Sequence, residues 1–529
     1  MSLESVVSRA GGGHEVLDEL RRARTEDGVD GAAGERAAAD RAGLPLAAVH
    51  GVASYYADLQ GRRGRRHVRV CAGTACQVAG AGGRQLAGVE RALGVGVGRC
   101  SPDGAVSLQA VHCLGFCYAG PAALDGDVPC AGPDLAEQLA GSAPRRAPEV
   151  PASAVSPPVL LRPAPDWSVW PQVLRDGGAA RVMREVEVSG LRGRGGAGFQ
   201  AARKWQTVAA TPSGPRYVVA NGDEGDPGSF SDRLLMQRYP ARVLEGLALA
   251  GLACGARRGF VYVRSEYPAA FDAMSEAVVR ARELGMLRPE IFDVDVMRGA
   301  GSYVAGEETS LLRSLAGLRA TVRAKPPYPA THGYLGRPTA VNNVETLATV
   351  PMIVATGGEA YARLGRAPET GTILVCLNER FARPGAYEVE LGTPVRAIVE
   401  DLGGGLRDGA RLMALQVGGP LGGFLSPSQL DLPLLDSALT EAGAALGHGG
   451  IVAIDERMSR DALLEHLWDF AAKESCGMCT PCREGTRLGA SDPDSAAPFL
   501  DLMETASLCA FGRSVPRAVR SLRRAWGQP

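Results

Sequence analysis

Cysteine spacing constrains this chain more than any other feature. Twelve cysteines occur in 529 residues, and the stretch ESCGMCTPCREG places Cys476, Cys479 and Cys482 three residues apart. This spacing is typical of thiolates that bind one face of a [4Fe–4S] cluster, and such a cluster needs a fourth, more distant thiolate. Cys509 is the one cysteine downstream of the motif, so we predict it as the fourth ligand. Zinc remains an alternative interpretation, because it also accepts four thiolates.

A second group of cysteines lies nearer the N-terminus, with four residues between Cys71 and Cys76 and three between Cys113 and Cys117. Zinc ribbons favour the closer CxxC pair, whereas two wider pairs from separate loops suit a [2Fe–2S] cluster. Glycines in GTAC and CLGFC would let backbone N–H groups approach the sulfur atoms. The pattern therefore predicts a [2Fe–2S] site. We interpret the four remaining cysteines as packing residues: Cys100, Cys130, Cys254 and Cys376.

The bulk composition limits the location and the partners of the chain. Lys plus Arg number 57 against 58 for Asp plus Glu, so the net charge is -1 and no overall field attracts nucleic acid or an anionic membrane. The N-terminus lacks a continuous apolar stretch, and the longest weakly charged run, 246–256, is too short to cross a bilayer. Cysteines in a chain without an export signal favour metal or redox chemistry over disulfides. We therefore predict a cytoplasmic protein without membrane insertion.

The length of the chain exceeds what one hydrophobic core supports, so we expect several domains. Apolar periodicity predicts helices at both ends, and short β-branched runs between Gly and Pro predict mixed α/β domains in the middle. Seven prolines in 142–165 suggest a stiff linker that contributes nothing to a core. The predicted boundaries are an N-terminal helical segment at 1–65, a compact α/β domain at 66–141, the Pro/Ala-rich linker at 142–165, a layered α/β domain at 166–360, a small mixed β domain at 361–455 and a helical region at 456–529.

The stretch GLRGRGGAGFQAARKW contains Gly193, Gly195 and Gly198 as a formal GxGxxG match. A dinucleotide fingerprint also needs a buried strand just before it, and the preceding RVMREVEVSG is too charged for one, so the match itself is weak. The glycines would still let backbone N–H groups approach a phosphate, and Arg194 and Lys204 add positive charge. The loop therefore predicts a site for an anionic cofactor, with a flexible turn as the alternative.

Three further stretches place acidic and amide side chains close together. Taken alone, such clusters are typical of solvated turns. Beside the glycine loop they suggest a cofactor site, because carboxylates suit ribose hydroxyls and paired amides suit a heterocycle edge or a ribityl chain. The residues are Asp223, Glu224 and Asp226 in NGDEGDPGSFSDR, Glu307 and Glu308 in GSYVAGEETS, and Asn342 and Asn343 in VNNVET.

The order of these motifs resembles a known family. GRGGAGF with KW, DEG with PG and DR, GEET, KPPYPA, VNNVET and CGMCTPC resemble the flavin subunit of the NADH-oxidising arm of respiratory complex I, its 51-kDa type. The preceding CAGTAC and CLGFC resemble the 24-kDa type, a thioredoxin-like [2Fe–2S] protein. Their fusion is similar to the diaphorase subunits of soluble NAD-dependent formate dehydrogenases and NAD-reducing hydrogenases. GFVYVRSEYP, DEGDPGSFSDR and LQVGGPLGGFLSPSQLDLPL look most like the formate dehydrogenase beta subunit.

The resemblance implies an α/β multidomain fold. It consists of the thioredoxin-like [2Fe–2S] domain, a Rossmann-like FMN domain, a β-grasp (SLBB-type) domain and a C-terminal helical bundle with the [4Fe–4S] cluster. The implied FMN-binding residues are Gly193, Arg194, Gly195, Gly196, Lys204, Asn221, Asp223, Tyr303, Gly306, Glu307, Glu308, Asn342, Asn343 and Thr346. The implied NAD-binding residues are Phe199 and Tyr328 for stacking, with Glu224, Asp226 and Lys325 near the polar parts of the dinucleotide.

The chain departs from the complex I pattern at three positions. Asp226 stands where Glu is usual, Tyr328 where Phe is usual, and Thr207 where a second aromatic residue is usual. Tyr328 keeps a stacking face, so we expect NAD binding to persist. Position 207 lacks the second aromatic ring, so we expect adenine stacking to differ from the complex I pattern.

The resemblance also implies a function in which no side chain acts as a general acid or base. FMN would exchange hydride with nicotinamide and single electrons with the [4Fe–4S] cluster, and the [2Fe–2S] cluster would be a side or reservoir centre. In the formate dehydrogenase interpretation, a separate molybdenum- or tungsten-pterin subunit oxidises formate and supplies the electrons. Two alternatives stay open: a subunit of a hydrogenase or of complex I, and a cluster-bearing scaffold without flavin chemistry.

Overall fold

The computed structural model describes residues 15–25, 31–80, 82–155, 158–212 and 214–526. The predicted N-terminal segment is helical within this part, and residues 1–14 and 26–30 of it lie outside the described residues. The helices here are Glu15–Thr25, Gly31–Ala42 and Leu46–Ala53.

A five-stranded sheet follows these helices and carries the first cysteine group at one end. Its strands lie in the order Arg99–Cys100, Val106–Val111, Arg66–Cys71, Ala122–Asp125 and Val128–Ala131. The strands Val106–Val111 and Arg66–Cys71 are parallel, and the other pairings are antiparallel. Three helices accompany the sheet: Thr74–Ala79, Arg84–Leu93 and Leu135–Ala140.

A four-stranded parallel sheet forms the centre of the largest domain. Its order is Thr339–Asn343, Tyr217–Gly222, Arg258–Val263 and Asp293–Arg298. The accompanying helices are Trp170–Arg175, Ala179–Val188, Ala201–Ala210, Ser231–Arg238, Pro240–Cys254, Pro268–Glu283, Glu308–Leu315, Pro329–His332, Val344–Thr356 and Gly358–Ala362.

The N-terminal helices complete this parallel-sheet domain. Their apolar side chains share a buried cluster with Val219 and Phe260 of the sheet. The Tyr56 hydroxyl, fully buried, donates to the Leu318 carbonyl oxygen at 2.6 Å. The Val218 and Val261 side chains pack instead with the helices Pro240–Cys254 and Val344–Thr356. Both faces of the sheet are therefore covered, as parallel sheets require.

The expectation that the proline-rich linker adds nothing to a core was wrong for part of it. Ala152–Ala154 forms an edge strand parallel to Gly385–Glu390, and Leu160 is fully buried. The Leu160 backbone N–H donates to the Glu388 carboxylate at 3.0 Å. Composition could not reveal this, because the segment gains its partners from a strand more than 200 positions later in the chain.

The segment joins a six-stranded sheet in the β domain, with the order Phe424–Leu425, Leu412–Val417, Gly450–Asp455, Thr372–Leu377, Gly385–Glu390 and Ala152–Ala154. A short ribbon, Gly365–Arg366 with Glu369–Thr370, precedes it, and one α-helix, Asp436–Glu441, lies beside it.

The C-terminal region is helical, as predicted, and holds the second cysteine group. Its helices are Arg460–Glu474, Thr480–Ser491, Leu500–Ala506 and Ala510–Ala525. Gly489 packs tightly on the first of them, since a Cβ at this position would lie 2.2 Å from the Trp468 ring. Among the described residues, no helix is long and apolar enough to cross a membrane.

Candidate functional site

The predicted FMN residues converge at the carboxyl ends of the parallel strands, where ligands bind in open α/β sheets. Asn221 and Asn343 are register partners at the ends of neighbouring strands. The Asn221 side-chain amide donates to the Gly306 carbonyl oxygen at 2.8 Å, and the Trp205 indole N–H donates to Asn342 Oδ1 at 2.9 Å. The structure therefore brings together four separate segments of the sequence at one edge of the sheet.

The glycine loop links the helices Ala179–Val188 and Ala201–Ala210. A helix precedes it where a dinucleotide fingerprint requires a strand, which agrees with the weakness of the GxGxxG match. Gly196 has a φ of +92°, a backbone conformation that favours glycine. A Cβ on Gly195 would lie 3.0 Å from the Asn343 Cβ. The loop thus rests closely on the asparagine pair, and glycine permits that approach.

The structure corrects the role expected for Arg194. Its side chain is buried, and the guanidinium donates to the Thr372 and Thr370 carbonyl oxygens and to the Tyr361 hydroxyl at 2.9–3.0 Å. Its backbone N–H donates to Thr346 Oγ1 at 2.9 Å. The charge is directed into the protein rather than toward a phosphate, because these acceptors saturate the guanidinium.

Two lysines and two glutamates form a compact ionic cluster beside the glycine loop. Lys325 Nζ lies 2.7 Å from Glu307 and 2.9 Å from Glu308, and Lys204 Nζ lies 3.4 Å from Glu308. Burial opposes ionisation of Glu308, but the two lysines outweigh it and hold its pKa below the ordinary value. Glu307 also accepts from the first backbone N–H groups of the helix Glu308–Leu315. The ion pairs therefore hold four charged side chains close together.

The acidic turn after Gly222 contains a buried oxygen that needs a donor. Asp223 Oδ2 is buried without a hydrogen-bond partner among the described residues, and burial raises the Asp223 pKa well above its ordinary value. Such an orphaned acceptor requires a ligand or a water. A polyhydroxylated chain such as the ribityl of FMN supplies the hydroxyl donors that this oxygen lacks, so the residues present fit FMN.

Glu224 is buried, contrary to the prediction that it lies near NAD. Its carboxylate is 2% exposed and accepts from the backbone N–H groups of Asp232 and Arg233, both at 3.1 Å. These donors start the helix Ser231–Arg238, so the carboxylate caps its N-terminus. The Glu224 side chain is therefore structural, because both of its carboxylate oxygens accept hydrogen bonds from the start of this helix.

Asp226 belongs to a hydrogen-bonded series that connects three domains. The Tyr303 hydroxyl donates to Asp226 Oδ1, and the Tyr303 backbone N–H donates to Glu474 at 3.0 Å. The other oxygen of Glu474 lies 2.6 Å from His112 Nδ1, next to Cys113. The flavin-domain turn, the C-terminal helices and the first cysteine group are therefore fixed relative to one another.

Two predicted stacking residues are open to solvent. Phe199 is 52% exposed and Tyr328 is 57% exposed. An exposed aromatic ring offers a flat face on which the ring of a ligand can stack. Their exposure fits a ligand that covers them, as the NAD prediction requires.

The first cysteine group forms an enclosed site. Cys71, Cys76, Cys113 and Cys117 are each at most 2% exposed, and the sulfur atoms of Cys113 and Cys117 lie 3.7 Å apart. The Gly228 backbone N–H donates to Cys117 Sγ at 3.3 Å. Converging buried sulfurs with N–H donors fit a thiolate-bound [2Fe–2S] cluster.

The second cysteine group lies at the joins of the C-terminal helices. Burial raises the pKa of the Cys482 thiol to about 12 and that of Cys509 to about 11, so these thiols need a metal centre to become thiolates. The backbone N–H groups of Phe511 and Gly512 donate toward Cys509. Cys476 and Cys479 are partly exposed. The four residues fit a [4Fe–4S] cluster near the surface.

Sequence reasoning missed a buried ionic group behind the flavin residues. His448 Nε2 lies 3.1 Å from Asp232 Oδ2, and His448 Nδ1 lies 3.9 Å from Glu224 Oε1. All three side chains are buried. The one signal in the sequence was a histidine between glycines, in GHGG, within a chain that has seven histidines.

Four known families match separate parts of the chain. The Nuo51 FMN-binding domain matches residues 186–352, and the thioredoxin-like [2Fe–2S] ferredoxin matches 8–131. The NADH-ubiquinone oxidoreductase-F iron–sulfur binding region matches 462–528, and the SLBB domain matches 381–425. These matches confirm the predicted fold class. They also confirm FMN, NAD, a [2Fe–2S] cluster and a [4Fe–4S] cluster as the cofactors.

Similar proteins include the NuoF-type flavin chain of the NADH-quinone oxidoreductase of Escherichia coli K12, which is 42% identical over 58% of this chain and 70% of its own. The HndC chain of the NADP-reducing hydrogenase of Solidesulfovibrio fructosivorans is 38% identical over 65% of this chain and 74% of its own. A crystal structure of an NAD⁺-reducing [NiFe]-hydrogenase in the H₂-reduced state matches with a TM-score of 0.87 and 31% identity, over 97% of this chain and 92% of that one.

The relatives belong to NAD(P)-linked oxidoreductases, and the matching families agree with the two cysteine groups and with the predicted flavin residues at the sheet edge. The chain belongs to the family of the flavin and iron–sulfur chain of NADH-quinone oxidoreductase, the 51-kDa type, here fused to a thioredoxin-like [2Fe–2S] domain.

Proposed function

We propose that this chain is the diaphorase subunit of an NAD-dependent formate dehydrogenase, which passes electrons from a partner subunit to NAD⁺. The observation that carries the diaphorase part is the short distance between a flavin-site residue and the segment that holds the predicted cluster ligand Cys509. The Tyr303 ring centroid lies 5.7 Å from that of Phe511, two residues after Cys509. Burial is the main cause of the raised Cys509 pKa, and the negative charge of Glu307 raises it further.

When bound, FMN exchanges electron pairs with nicotinamide and single electrons with clusters, and the protein supplies placement and electrostatics. Asp223 and Asn221 orient the hydroxylated part of the cofactor, and the glycine loop holds the phosphate with its backbone N–H groups. Phe199 and Tyr328 stack the dinucleotide. Lys325 would lie near its polar groups, and Glu308, which is ion-paired with Lys325, would belong to the FMN side of the site. No side chain moves a proton in the hydride exchange.

The formate part of the proposal is supported by the resemblance of GFVYVRSEYP, DEGDPGSFSDR and LQVGGPLGGFLSPSQLDLPL to the formate dehydrogenase beta subunit. It implies a partner that carries a molybdenum or tungsten pterin and iron–sulfur clusters, in the cytoplasm. An NAD-reducing hydrogenase is the second candidate. It is favoured by the likeness to the hydrogenase structure over 97% of this chain.

The test is to purify the complex from its native host through an affinity tag on this chain and to supply formate or hydrogen anaerobically with NAD⁺. We expect NADH to form with formate but not with hydrogen, and molybdenum or tungsten to be present in the complex. NADH formation from hydrogen, with nickel present, would overturn the formate assignment and leave the diaphorase role in place.

A further inference from the structure

The β-grasp domain contacts the flavin domain through a short loop, 446–449, which no FMN prediction includes. A Cβ on Gly196 of the glycine loop would lie 3.6 Å from the Gly447 Cα, so the two backbones are close neighbours. The next residue, His448, is 5% exposed, and its carbonyl oxygen accepts from Ser229 Oγ at 2.7 Å. The loop therefore lies against the glycine loop while its histidine enters the flavin domain.

His448 lies among acidic side chains of the flavin domain. Nε2 is 3.1 Å from Asp232 Oδ2, and Nδ1 is 3.9 Å from Glu224 Oε1. The two ring nitrogens thus face different carboxylates, in diverging directions. The carboxylate oxygens nearest the ring already accept hydrogen bonds, Glu224 Oε1 from the Asp232 backbone N–H and Asp232 Oδ2 from the Asn343 side-chain amide. A charged imidazole, which donates from both nitrogens, adds to these contacts without replacing them. The geometry favours an internal ion group over a metal site.

Asp232 links this histidine to the flavin site. Its Oδ2 accepts from the Asn343 side-chain amide at 2.6 Å, and its Oδ1 accepts from the Glu345 backbone N–H at 3.0 Å. Asn343 Oδ1 in turn accepts from the Thr346 backbone N–H at 3.1 Å, and Gly195 rests on Asn343. The orientation of Asn343 therefore depends on Asp232. Since Gly195 packs on Asn343, the position of the glycine loop depends on Asp232 as well.

The charge of His448 follows from its neighbours. Burial alone would lower the His448 pKa, but Asp232, Glu224 and Asp226 outweigh burial and raise the pKa to about 10. Glu345 also lies within electrostatic reach of the ring. If the ring were neutral, Asp232 would be buried without a counter-charge, which is costly unless the carboxylate is protonated or moves.

We infer that His448 is a positioning residue of the flavin site: it neutralises Asp232, which holds Asn343 and the glycine loop in the shape that binds FMN. The β-grasp domain therefore supports the FMN site through His448, although none of the predicted FMN-binding residues lies in this domain. This inference rests on the flavin site proposed above.

The experiment measures the dissociation constant of FMN by fluorescence titration of the full chain after flavin removal. Three variants are compared: His448→Gln, the double variant His448→Gln with Asp232→Asn, and His50→Gln, an exposed histidine, as the control. We expect His448→Gln to weaken FMN binding about tenfold or more at pH 7, because it leaves a buried carboxylate unpaired. The double variant removes the unpaired charge but keeps only one of the two acceptor oxygens of Asp232, so it should recover part of the loss, whereas His50→Gln should match the wild type.

A pH series separates charge from packing. His448 loses its proton as the pH rises through about 10, so the affinity ratio between wild type and His448→Gln should shrink toward one between pH 7 and pH 10.5. A loss of packing would persist at every pH and would not be rescued by Asp232→Asn.

The variants also separate a failure of the histidine's role from a failure of the flavin site. FMN binding by His448→Gln within twofold of wild type at pH 7 would overturn the inference, as would a double variant no better than the single one. If His448→Gln fails to fold, a double variant that folds and binds FMN supports the inference, and one that also fails to fold contradicts it. Failure of the wild-type chain to bind FMN would instead overturn the flavin site itself.

Discussion

The two cluster sites differ in how far they are open to solvent. The four cysteines of the first group are at most 2% exposed, and residues of the flavin domain close over them, including the Gly228 donor to Cys117. At the second group, Cys476 and Cys479 are partly exposed, and Met478 between them is 56% exposed. The exposed group is accessible to a partner protein, whereas the enclosed group contacts other parts of the same chain.

The difference in solvent exposure suggests a separate role for each cysteine group. Electron exchange with a partner should depend on the open site, and the arrangement of the domains should depend on the enclosed one. The two predicted stacking residues for NAD, Phe199 and Tyr328, are also open to solvent, since each is more than half exposed.

The largest effect is expected at the open cluster. Cys479→Ser should reduce partner-dependent NAD⁺ reduction at least about 100-fold, because a cluster ligand is lost on the proposed route from the partner to the flavin. NADH-to-ferricyanide activity through the flavin should remain largely intact. Both activities are measured in the purified complex with the physiological donor, with Cys100→Ser as the matched control. Unchanged donor-dependent NAD⁺ reduction in Cys479→Ser would refute the ligand role.

The enclosed cluster should matter more for stability than for rate. Cys117→Ser should lower the free energy of unfolding by roughly 3 kcal/mol, because cluster binding and the Gly228 contact are both lost. Donor-dependent NAD⁺ reduction should stay within about tenfold of wild type if this is a side centre. Thermal unfolding and iron content are the measurements, and Cys130→Ser is the buried control. A Cys117→Ser variant as slow as Cys479→Ser would remove the distinction between the two sites.

The exposed rings of Phe199 and Tyr328 should control the affinity for NADH. Tyr328→Ala should raise the KM for NADH about tenfold with little change in kcat, because one stacking face worth about 1–1.5 kcal/mol is lost. Tyr328→Phe should behave like wild type, since it keeps the ring. Steady-state NADH–ferricyanide kinetics distinguish these outcomes. Equal KM values for Ala and wild type would show that NAD does not stack on Tyr328.

The smallest effect is expected at Glu345, a buried carboxyl in the helix Val344–Thr356. Burial raises the Glu345 pKa to about 8 from an ordinary 4.5, so the folded state binds a proton that the unfolded state releases. The resulting stability is fully present below pH 4.5 and is lost as the pH rises toward 8. Glu345→Gln should therefore lose less thermal stability than wild type between pH 5 and pH 8.5. If the melting temperatures of Glu345→Gln and wild type changed equally with pH over this range, the raised pKa of Glu345 would be contradicted.

Much of the fold could be predicted because the signals are local, and the prediction of the cluster ligands depends on signals of the same kind. Thiolate spacing within Cys476–Cys482 reflects how one turn of chain binds a cluster, and hydrophobic periodicity reflects single helices and strands. The directions of Arg194 and Glu224 could not be predicted, because both side chains find their acceptors or donors in distant segments. The role of His448 depends on packing between two domains, which no local pattern encodes.

The central claim is that one chain connects a flavin that reacts with NADH to clusters that react with a partner. The most direct test is to add NADH anaerobically to the reconstituted chain and to follow flavin absorbance, ferricyanide reduction and the electron paramagnetic resonance signal of the clusters. We expect bound FMN, rapid ferricyanide reduction and a reduced [4Fe–4S] signal that Cys479→Ser abolishes. An iron-replete chain that binds no flavin would contradict the claim.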